Sequence, residues 1–439
     1  MRTGPAPGAA PDAATTARAP DSGMAAGGWH RWSLLLIVTF IATTSQLFRN
    51  SHVVVAPDIM RDLAVSAEAL GGLSGTLFMV AACTQIPAGV LIDRYGPRRA
   101  IPAMLVLAAG GAFLFGLAPA VPWLIVSRGL TGVGVATLVM ASIVACARWF
   151  PARYFGQLVG IILAISNLGN ILATQPMSVW SDAFGWRNVY LAFGFWSLVL
   201  AAFAWAMIRD APAGHSYHTR PVESMRAALR GVWALVFTPG LRPLLVMSST
   251  GFATLSTILG LWGGPYLFDV HGLESIARGR VLIWMPVALI AGNLLYGWID
   301  TRMTRRKGLI NASFGVNIAV FLTLAILEQP SLLLVTLLFG TVAFCTSSTA
   351  LLIAHGRDFY PDHQMGRGIT LVNTAVLVGA AAFQFVSGLI IGAFDKVGAH
   401  IPPHAYRAMF GFLALGLLAG LAFYSRCPER ARSDKTAAG

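Results

Sequence analysis

Twelve apolar stretches, each close to the length a helix needs to cross a bilayer, run through this chain with only short charged or Pro/Gly-bearing breaks between them. A hydrocarbon core about 30 Å thick takes roughly 20 apolar residues in a helix, and within it backbone polar groups must be satisfied internally. The stretches lie near residues 32–57, 69–91, 100–119, 123–147, 155–180, 188–208, 243–269, 279–299, 309–327, 331–355, 367–394 and 405–425. They predict an all-α membrane protein with twelve transmembrane helices. Composition agrees, because a chain that is 56% hydrophobic and 11% charged has too little polar surface for a soluble globule of this size.

A formal net charge of +13 would suit nucleic acid if the basic residues clustered on a soluble face, but no soluble domain is readable here, so no nucleic-acid partner is expected. The charge reports topology instead. With both termini cytoplasmic, the great majority of the 31 Lys and Arg residues fall on that side. The opposite side keeps Arg61, Arg187, Arg278, Arg280, Lys396 and Arg407, while Arg49 and Arg128 fall inside helices. The positive-inside bias therefore predicts a multi-pass protein of the inner membrane with both termini in the cytoplasm. Residues 1–29, rich in Ala, Pro, Gly and Thr, read as a disordered tail. The basic segment 209–242 reads as a linker between bundles at 30–208 and 243–427, and 428–439 as a second tail. The apolar run after Arg31 is too long for a signal-peptide core and is kept as a helix. Cys83, Cys146, Cys345 and Cys427 read as unpaired.

An internal repeat supports two bundles. Gly89-Val90-Leu91-Ile92-Asp93-Arg94-Tyr95-Gly96-Pro97-Arg98-Arg99 follows the second stretch, and Gly297-Trp298-Ile299-Asp300-Thr301-Arg302-Met303-Thr304-Arg305-Arg306 follows the eighth. Each keeps Asp five residues ahead of Arg-Arg, as parallel repeats would. The first segment resembles the loop 2–3 signature of the major facilitator superfamily. Arg128-Gly129-Leu130-Thr131-Gly132-Val133-Gly134 is similar to that superfamily's helix-4 signature, with Thr131 where Gln is frequent. The resemblance spans about residues 30–427. It implies two pseudo-symmetric six-helix bundles that rock around a site between them, a secondary transporter without a cofactor, and a monomer. It also implies conformational roles for Gly89, Asp93, Arg94, Gly96, Arg98 and Arg99, and for Asp300, Arg305 and Arg306, as charge latches. The bland alternative is that these arginines only anchor topology.

Ionisable groups at membrane depth are costly and point to function. Gln46, Arg49, Asn50 and Val53 share one helical face at three- and four-residue spacing. A guanidinium there presents a planar fork matched to carboxylate or phosphate oxygens, which predicts a small anionic, organic solute. Snorkelling of Arg49 to the outer surface is the alternative. The segment Arg49 to Pro57 also resembles helix 1 of the superfamily's organic-anion branch, with Phe48 where Asp is frequent. Arg128 is a second candidate anchor, or a hydrogen-bonding brace to neighbouring helices; the resemblance also implies a part in proton transfer. Further substrate candidates are Asn167 and Asn170 in the fifth stretch, Trp284 in the eighth, and Asn373 and Gln384 in the eleventh, with interhelical glue the alternative for the lone amides. In Gly260-Leu261-Trp262-Gly263-Gly264-Pro265-Tyr266 the glycines and proline permit a break, making Trp262 and Tyr266 a candidate aromatic gate. They could instead belong to an interfacial aromatic belt.

None of the 18 Asp and Glu residues falls near the middle of a stretch; Asp269 comes closest, at the outer end of the seventh. His52 and His355 are the remaining candidates for proton coupling. The fifth stretch lacks the Gly-Pro-x-x-Gly-Gly pattern of many drug/proton antiporters, no phosphate-binding loop points to ATP, and no His/Cys spacing suits a metal. No acid/base or nucleophile cluster supports an enzyme. The reading is uptake of a small organic anion, with proton symport expected from the resemblance alone. Export of a metabolite or drug by proton antiport is the alternative, and a nutrient sensor would be expected to carry an appended soluble domain that is not readable here.

Overall fold

The computed structural model describes residues 28–150, 155–210, 225–238, 240–300, 302, 306–356, 359, 365–395 and 400–428. Residues 1–27, 211–224 and 429–439, Arg305 and the Asp93 side chain lie outside the described residues, and with them the expectations made for them.

The chain is built from twelve membrane helices. Those of the first half are α1 (Trp29–Asn50), α2 (Ala67–Ile92), α3 (Pro97–Gly116), α4 (Val121–Cys146) and α6 (Trp186–Met207), with α5 made of three pieces, Phe155–Ser166, Leu168–Leu172 and Gln175–Phe184. The second half holds α7 (Leu241–His271), α8 (Ser275–Asp300), α9 (Lys307–Ile326), α10 (Leu332–Gly356), α11 (Arg367–Gly392) and α12 (Pro403–Tyr424). Local chemistry explains many of the boundaries. Ser66 and Ser331 cap α2 and α10 by accepting from the backbone N–H of Ala69 and Leu334. Pro97 and Pro403 sit in the first turns of α3 and α12, where the missing N–H costs nothing. Between α2 and α3, Gly96 turns the chain at φ +80°, a region that L side chains avoid.

Several helices are interrupted where the sequence expectation had them continuous, and three differences bear on the site. The first helix was expected to run to residue 57, but α1 ends at Asn50 and a turn leads into a separate short helix, Ala56–Asp62. Pro57 then occupies the start of that short helix. The fifth was expected to be continuous from 155 to 180; it breaks at Asn167 and again before Pro176, whose ring disfavours continuation from the preceding turn. In the seventh, expected over 243–269, the glycines and proline of 260–266 permitted a break or bend. It stays helical, because a π turn over Ile258–Trp262 absorbs the irregularity, with the Gly263 N–H donating to the Ile258 carbonyl.

The halves meet along two seams. Helix α2 packs on α11, and the last piece of α5 packs on the first turns of α8. Within the linker, a helix at Met225–Val236 touches α2, α7 and α11. At the end of the molecule away from the chain termini the seams are tight. A side chain at Gly264 would collide with the Val53 carbonyl, and the backbones of Gly71 and Gly388 close to a virtual Cβ distance of 2.8 Å. Space lined by both halves lies at mid-membrane and towards the termini side.

Candidate functional site

That space is a cavity of about 510 Å³. From the first half, Gln46, Arg49 and Asn50 of α1, Phe78 of α2, and Asn167 and Asn170 of α5 face it. From the second half come Ser256 of α7, Asn293 of α8, and Thr346, Ser347 and Thr349 at the bend of α10, with leucines and isoleucines between them. Five of the sequence-derived candidates thus share one wall.

The break in α5 organises that wall. With the helix interrupted at Asn167, amides are left to satisfy one another: Asn50 Nδ2 donates to Asn170 Oδ1 at 2.8 Å, and Asn170 Nδ2 donates to Asn167 Oδ1 at 3.0 Å. Asn167 Nδ2 in turn donates to the Leu163 carbonyl at 2.9 Å. The chain of amides ties α1 to α5 and exposes polar edges to the cavity. Beside it, Arg49 makes one long contact, from Nη2 to the Val135 carbonyl at 3.5 Å, and its Nε is buried without a partner. Most of its five donors are unspent. It is the sole charged side chain on the cavity wall among the described residues.

Arg128 stands behind the wall, not on it. Its side chain is 1% exposed. Nη1 donates to the Phe48 carbonyl at 3.0 Å, and Nη2 donates to the Arg49 carbonyl at 3.5 Å and to His52 Nδ1 at 3.1 Å. The guanidinium thereby takes up carbonyls that the last turn of α1 leaves open. Because arginine can only donate, Nδ1 of His52 accepts, and the imidazole carries its hydrogen on Nε2, which lies 2.6 Å from Ser74 Oγ. His52 is neutral in this arrangement and does not line the cavity.

Several candidates lie elsewhere. Trp262, expected in a gate or an aromatic belt, is fully buried and donates from Nε1 to Ser387 Oγ at 2.8 Å. Tyr266 packs edge-on against Tyr406 and Phe410. The π turn rotates both into the second half's own core. Trp284 is 56% exposed on the outer surface and faces away from the cavity. Gln384 is buried and donates to the Ser256 carbonyl, behind the wall, and Asn373 is half-buried outside the cavity lining. His355 bonds Tyr424 through Nδ1 at 2.8 Å. Asp269 accepts from the Tyr406 hydroxyl and from His400, away from the cavity. None of the three proton-coupling candidates faces the central space.

The repeated loops are described in part. Asp300 holds Arg306 through two oxygens, the second at 3.2 Å from Nη2. In the first loop Asp210 takes the place of a cap: its carboxylate accepts from the Arg98 backbone N–H at 2.9 Å, beside Arg94 and Arg99, with the Arg98 guanidinium over the Trp205 ring. Gly89 sits within α2, where a Cβ would meet open space.

One residue was missed as a site residue. Arg278, counted in the sequence as an exterior charge, is 1% exposed at the start of α8. It reaches across to the first half, donating from Nη2 to the Val54 carbonyl at 3.0 Å and to Asp58 at 3.4 Å. Its guanidinium also lies 5.3 Å from the centre of the Phe268 ring. It closes the end of the molecule that Gly264 and Val53 also seal. Burial raises the Asp58 carboxyl above its ordinary 3.8, although Arg278 and then Arg61 pull it down.

Comparison with known proteins agrees with this architecture. The family profile of the Major Facilitator Superfamily matches residues 35–291 and 281–439. A hexuronate transporter of Escherichia coli (strain K12) is 23% identical over 416 residues, covering 87% of this chain and 92% of that protein. A gallate transporter of Pseudomonas putida is 25% identical over 411 residues, 85% of this chain and 87% of that one. Among solved structures, a bacterial homologue of the human lysosomal transporter Spinster in an inward-facing and occupied conformation superimposes with a TM-score of 0.77 at 17% identity, covering 91% of this chain and 97% of that one. A D-xylose–proton symporter gives a TM-score of 0.70, also at 17% identity, over 90% of this chain and 98% of that one. The chain belongs to the Major Facilitator Superfamily. It is a multi-pass membrane transporter and not an enzyme.

Proposed function

We propose that this transporter takes up a small organic anion across the inner membrane by alternating access, with Arg49 as the charge anchor. The observation that carries the reading is a guanidinium on the wall of the central cavity with most of its donors unspent and its Nε buried unpartnered. A carboxylate accepts two parallel bonds from such a fork. Around it, Gln46, Asn50, Asn167 and Asn170 on one side and Asn293, Ser347 and Thr349 on the other offer neutral donors and acceptors suited to hydroxyl groups. The hexuronate and gallate transporters that share most of the chain's length carry organic carboxylates, in keeping with that lining.

Both termini are placed in the cytoplasm by the positive-inside bias. The sealed end at Arg278 and Gly264 then faces outward, and the protein is in an inward-facing state. Residues 30–208 would rock against 243–427 to reverse it, with the Asp300–Arg306 pair and the Gly96 to Arg99 loop acting as latches on the inner side. Uptake of labelled galacturonate and gallate into proteoliposomes tests the anchor. Arg49→Gln abolishes uptake and Arg49→Lys leaves a fraction of it; undiminished uptake in both variants sinks the proposal.

A further inference from the structure

The cavity is electrically one-sided. Among the described residues its wall carries Arg49 and no Asp, Glu, Lys or His. Behind it, Arg128 bonds only the Phe48 and Arg49 carbonyls and the neutral ring of His52. Among the described residues no carboxylate is hydrogen-bonded to either guanidinium. The facing groups from other helices carry no charge near neutral pH: Ser74 and Phe78 from α2, Asn167 and Asn170 from α5, the Tyr190 hydroxyl from α6, bonded to Ser51, Ser256 from α7, Asn293 from α8, and Thr346, Ser347 and Thr349 from α10. The described aspartates nearest the sealed end are already engaged, and Glu274 stands exposed beside Arg278, away from the cavity wall. Asp58 is with Arg278 and Arg61, Asp62 accepts from Trp186, and Asp269 accepts from Tyr406 and His400.

An alternating-access carrier must pass through a state in which the cavity is shut off from both faces. Shutting it around an unpaired guanidinium withdraws water from a charge that has no partner, which is strongly unfavourable. Shutting it around a bound carboxylate replaces that water with two charge-assisted hydrogen bonds. A carrier with its own cavity carboxylate can neutralise itself when empty. Among the described residues this one has none to offer.

We infer that this transporter is an anion exchanger: its cavity changes sides rapidly only when an anion neutralises Arg49, so one organic anion leaves for each that enters. The inference rests on the reading of Arg49 as the anion anchor. A univalent anion exchanged for another moves no net charge, and no proton need be carried. The driving force is the outward gradient of an internal carboxylate.

The test separates the anchor from the exchange. Thermal shift of the purified protein with galacturonate and with gallate, in wild type and Arg49→Gln, comes first, and the stronger binder becomes the transport probe. Stabilisation of wild type but not of Arg49→Gln supports the anchor; equal stabilisation of both, or of neither, overturns the anchor and the exchange together. Labelled probe is then offered to proteoliposomes preloaded with the same unlabelled anion, or with none. Exchange predicts entry at least about tenfold faster into the preloaded vesicles, the size of a modest difference in barrier between loaded and empty carrier. Equal rates, or uphill accumulation driven by an acidic exterior into anion-free vesicles, overturn the exchange while leaving the anchor intact.

A variant gives the converse. Gln46 lies one turn before Arg49 on the same wall. Gln46→Glu supplies the missing counter-charge, weakens anion binding, and brings the preloaded-to-empty ratio down towards one. A ratio as high as wild type in a folded Gln46→Glu protein counts against the mechanism.

Discussion

The two halves share a repeated loop and a six-helix plan, yet they handle membrane depth in opposite ways. The first half buries cations and interrupts its helices beside them: α1 stops at Asn50, and α5 breaks at Asn167. The second half presents neutral hydroxyls and amides to the cavity; it keeps α7 helical through a π turn, and its own interruptions, in α8 at Ile283 and in α10 at Ser347, place no charge on the cavity wall. The interruptions explain how the cations are tolerated. The end of a helix leaves carbonyls open and carries about half a negative charge, and at α1 that end is taken by Arg128 through the Phe48 and Arg49 carbonyls. Arg128 is thus compensated by backbone, and Arg49 keeps most of its donors unspent on the cavity wall. In the second half a buried cation, Arg278, is used at the sealed end to hold the two halves together.

If charge recognition belongs to the first half, the largest effect on binding comes from Arg49. Removing one partner of a buried charge pair costs about 2–5 kcal/mol. Arg49→Gln should therefore lower carboxylate affinity on the order of 100-fold, measured by calorimetry on purified protein. Arg49→Lys should recover part of this, because an ammonium keeps the charge and loses the planar fork. An equal loss on removing Asn293 from the second half would break the division of labour.

Next in size is the stability of the brace. Arg128→Gln leaves two carbonyls of α1 and the His52 Nδ1 without their donor, and a buried acceptor left unsatisfied costs about 1–3 kcal/mol. A counterpart in the second half is Trp262→Phe, which removes a single neutral hydrogen bond to Ser387 worth about 1 kcal/mol. Thermal unfolding in detergent should show the first variant melting well below the second. Similar melting temperatures would mean that the buried cation is not what holds the end of α1.

The contact between halves at Arg278 makes a smaller, pH-dependent prediction. Burial raises the Asp58 carboxyl in the sealed state, more than Arg278 and Arg61 lower it, whereas an opened outer end returns it to water and to its ordinary value. The sealed state therefore holds the proton more tightly than the open one. Between the ordinary carboxylate value and the raised one, lowering the outer pH favours sealing, and raising it through that window loses the benefit. Labelling of a cysteine placed at Leu273, near the seal, should slow at acidic outer pH in wild type and lose that dependence in Asp58→Asn. A rate that rises on acidification would reverse the sign and show that the ion pair outweighs burial.

Much of this plan is readable from local patterns. Hydropathy marks all twelve spans because length and apolarity are local properties, and the repeated Asp with paired arginines marks the two halves. The face of Gln46, Arg49 and Asn50 follows from helical spacing alone. What was not readable depends on partners distant in sequence. Nothing around Val53-Val54-Val55 announces that α1 has ended, because the end is held by Arg128 some 80 residues later. Arg278 looks like a charge outside the membrane until Asp58, 220 residues earlier, is placed against it. Trp262 and Tyr266 were misplaced for a different reason. A glycine- and proline-rich segment suggests a break, whereas one π turn keeps the helix and rotates its aromatics inward.

The finest distinction concerns the neutral groups of the second half. Ser347 Oγ donates to the Leu289 carbonyl at 2.9 Å and lies 3.3 Å from the Ala343 carbonyl, so its proton serves the bend of α10 and its lone pairs are what a solute hydroxyl can use. Asn293 has no such commitment and lines the cavity from an exposed position. Each forms at most a neutral hydrogen bond with the solute, worth about 0.5–1.5 kcal/mol. Asn293→Ala should weaken affinity by a factor of a few for a hydroxylated anion such as galacturonate and hardly at all for acetate, which lacks hydroxyl groups. Ser347→Ala should lower thermal stability as well as affinity, since it also removes the tie between α10 and α8. If Asn293→Ala weakened acetate and galacturonate alike, the second half would be reading the carboxylate, and the separation of charge from shape between the two halves would fail.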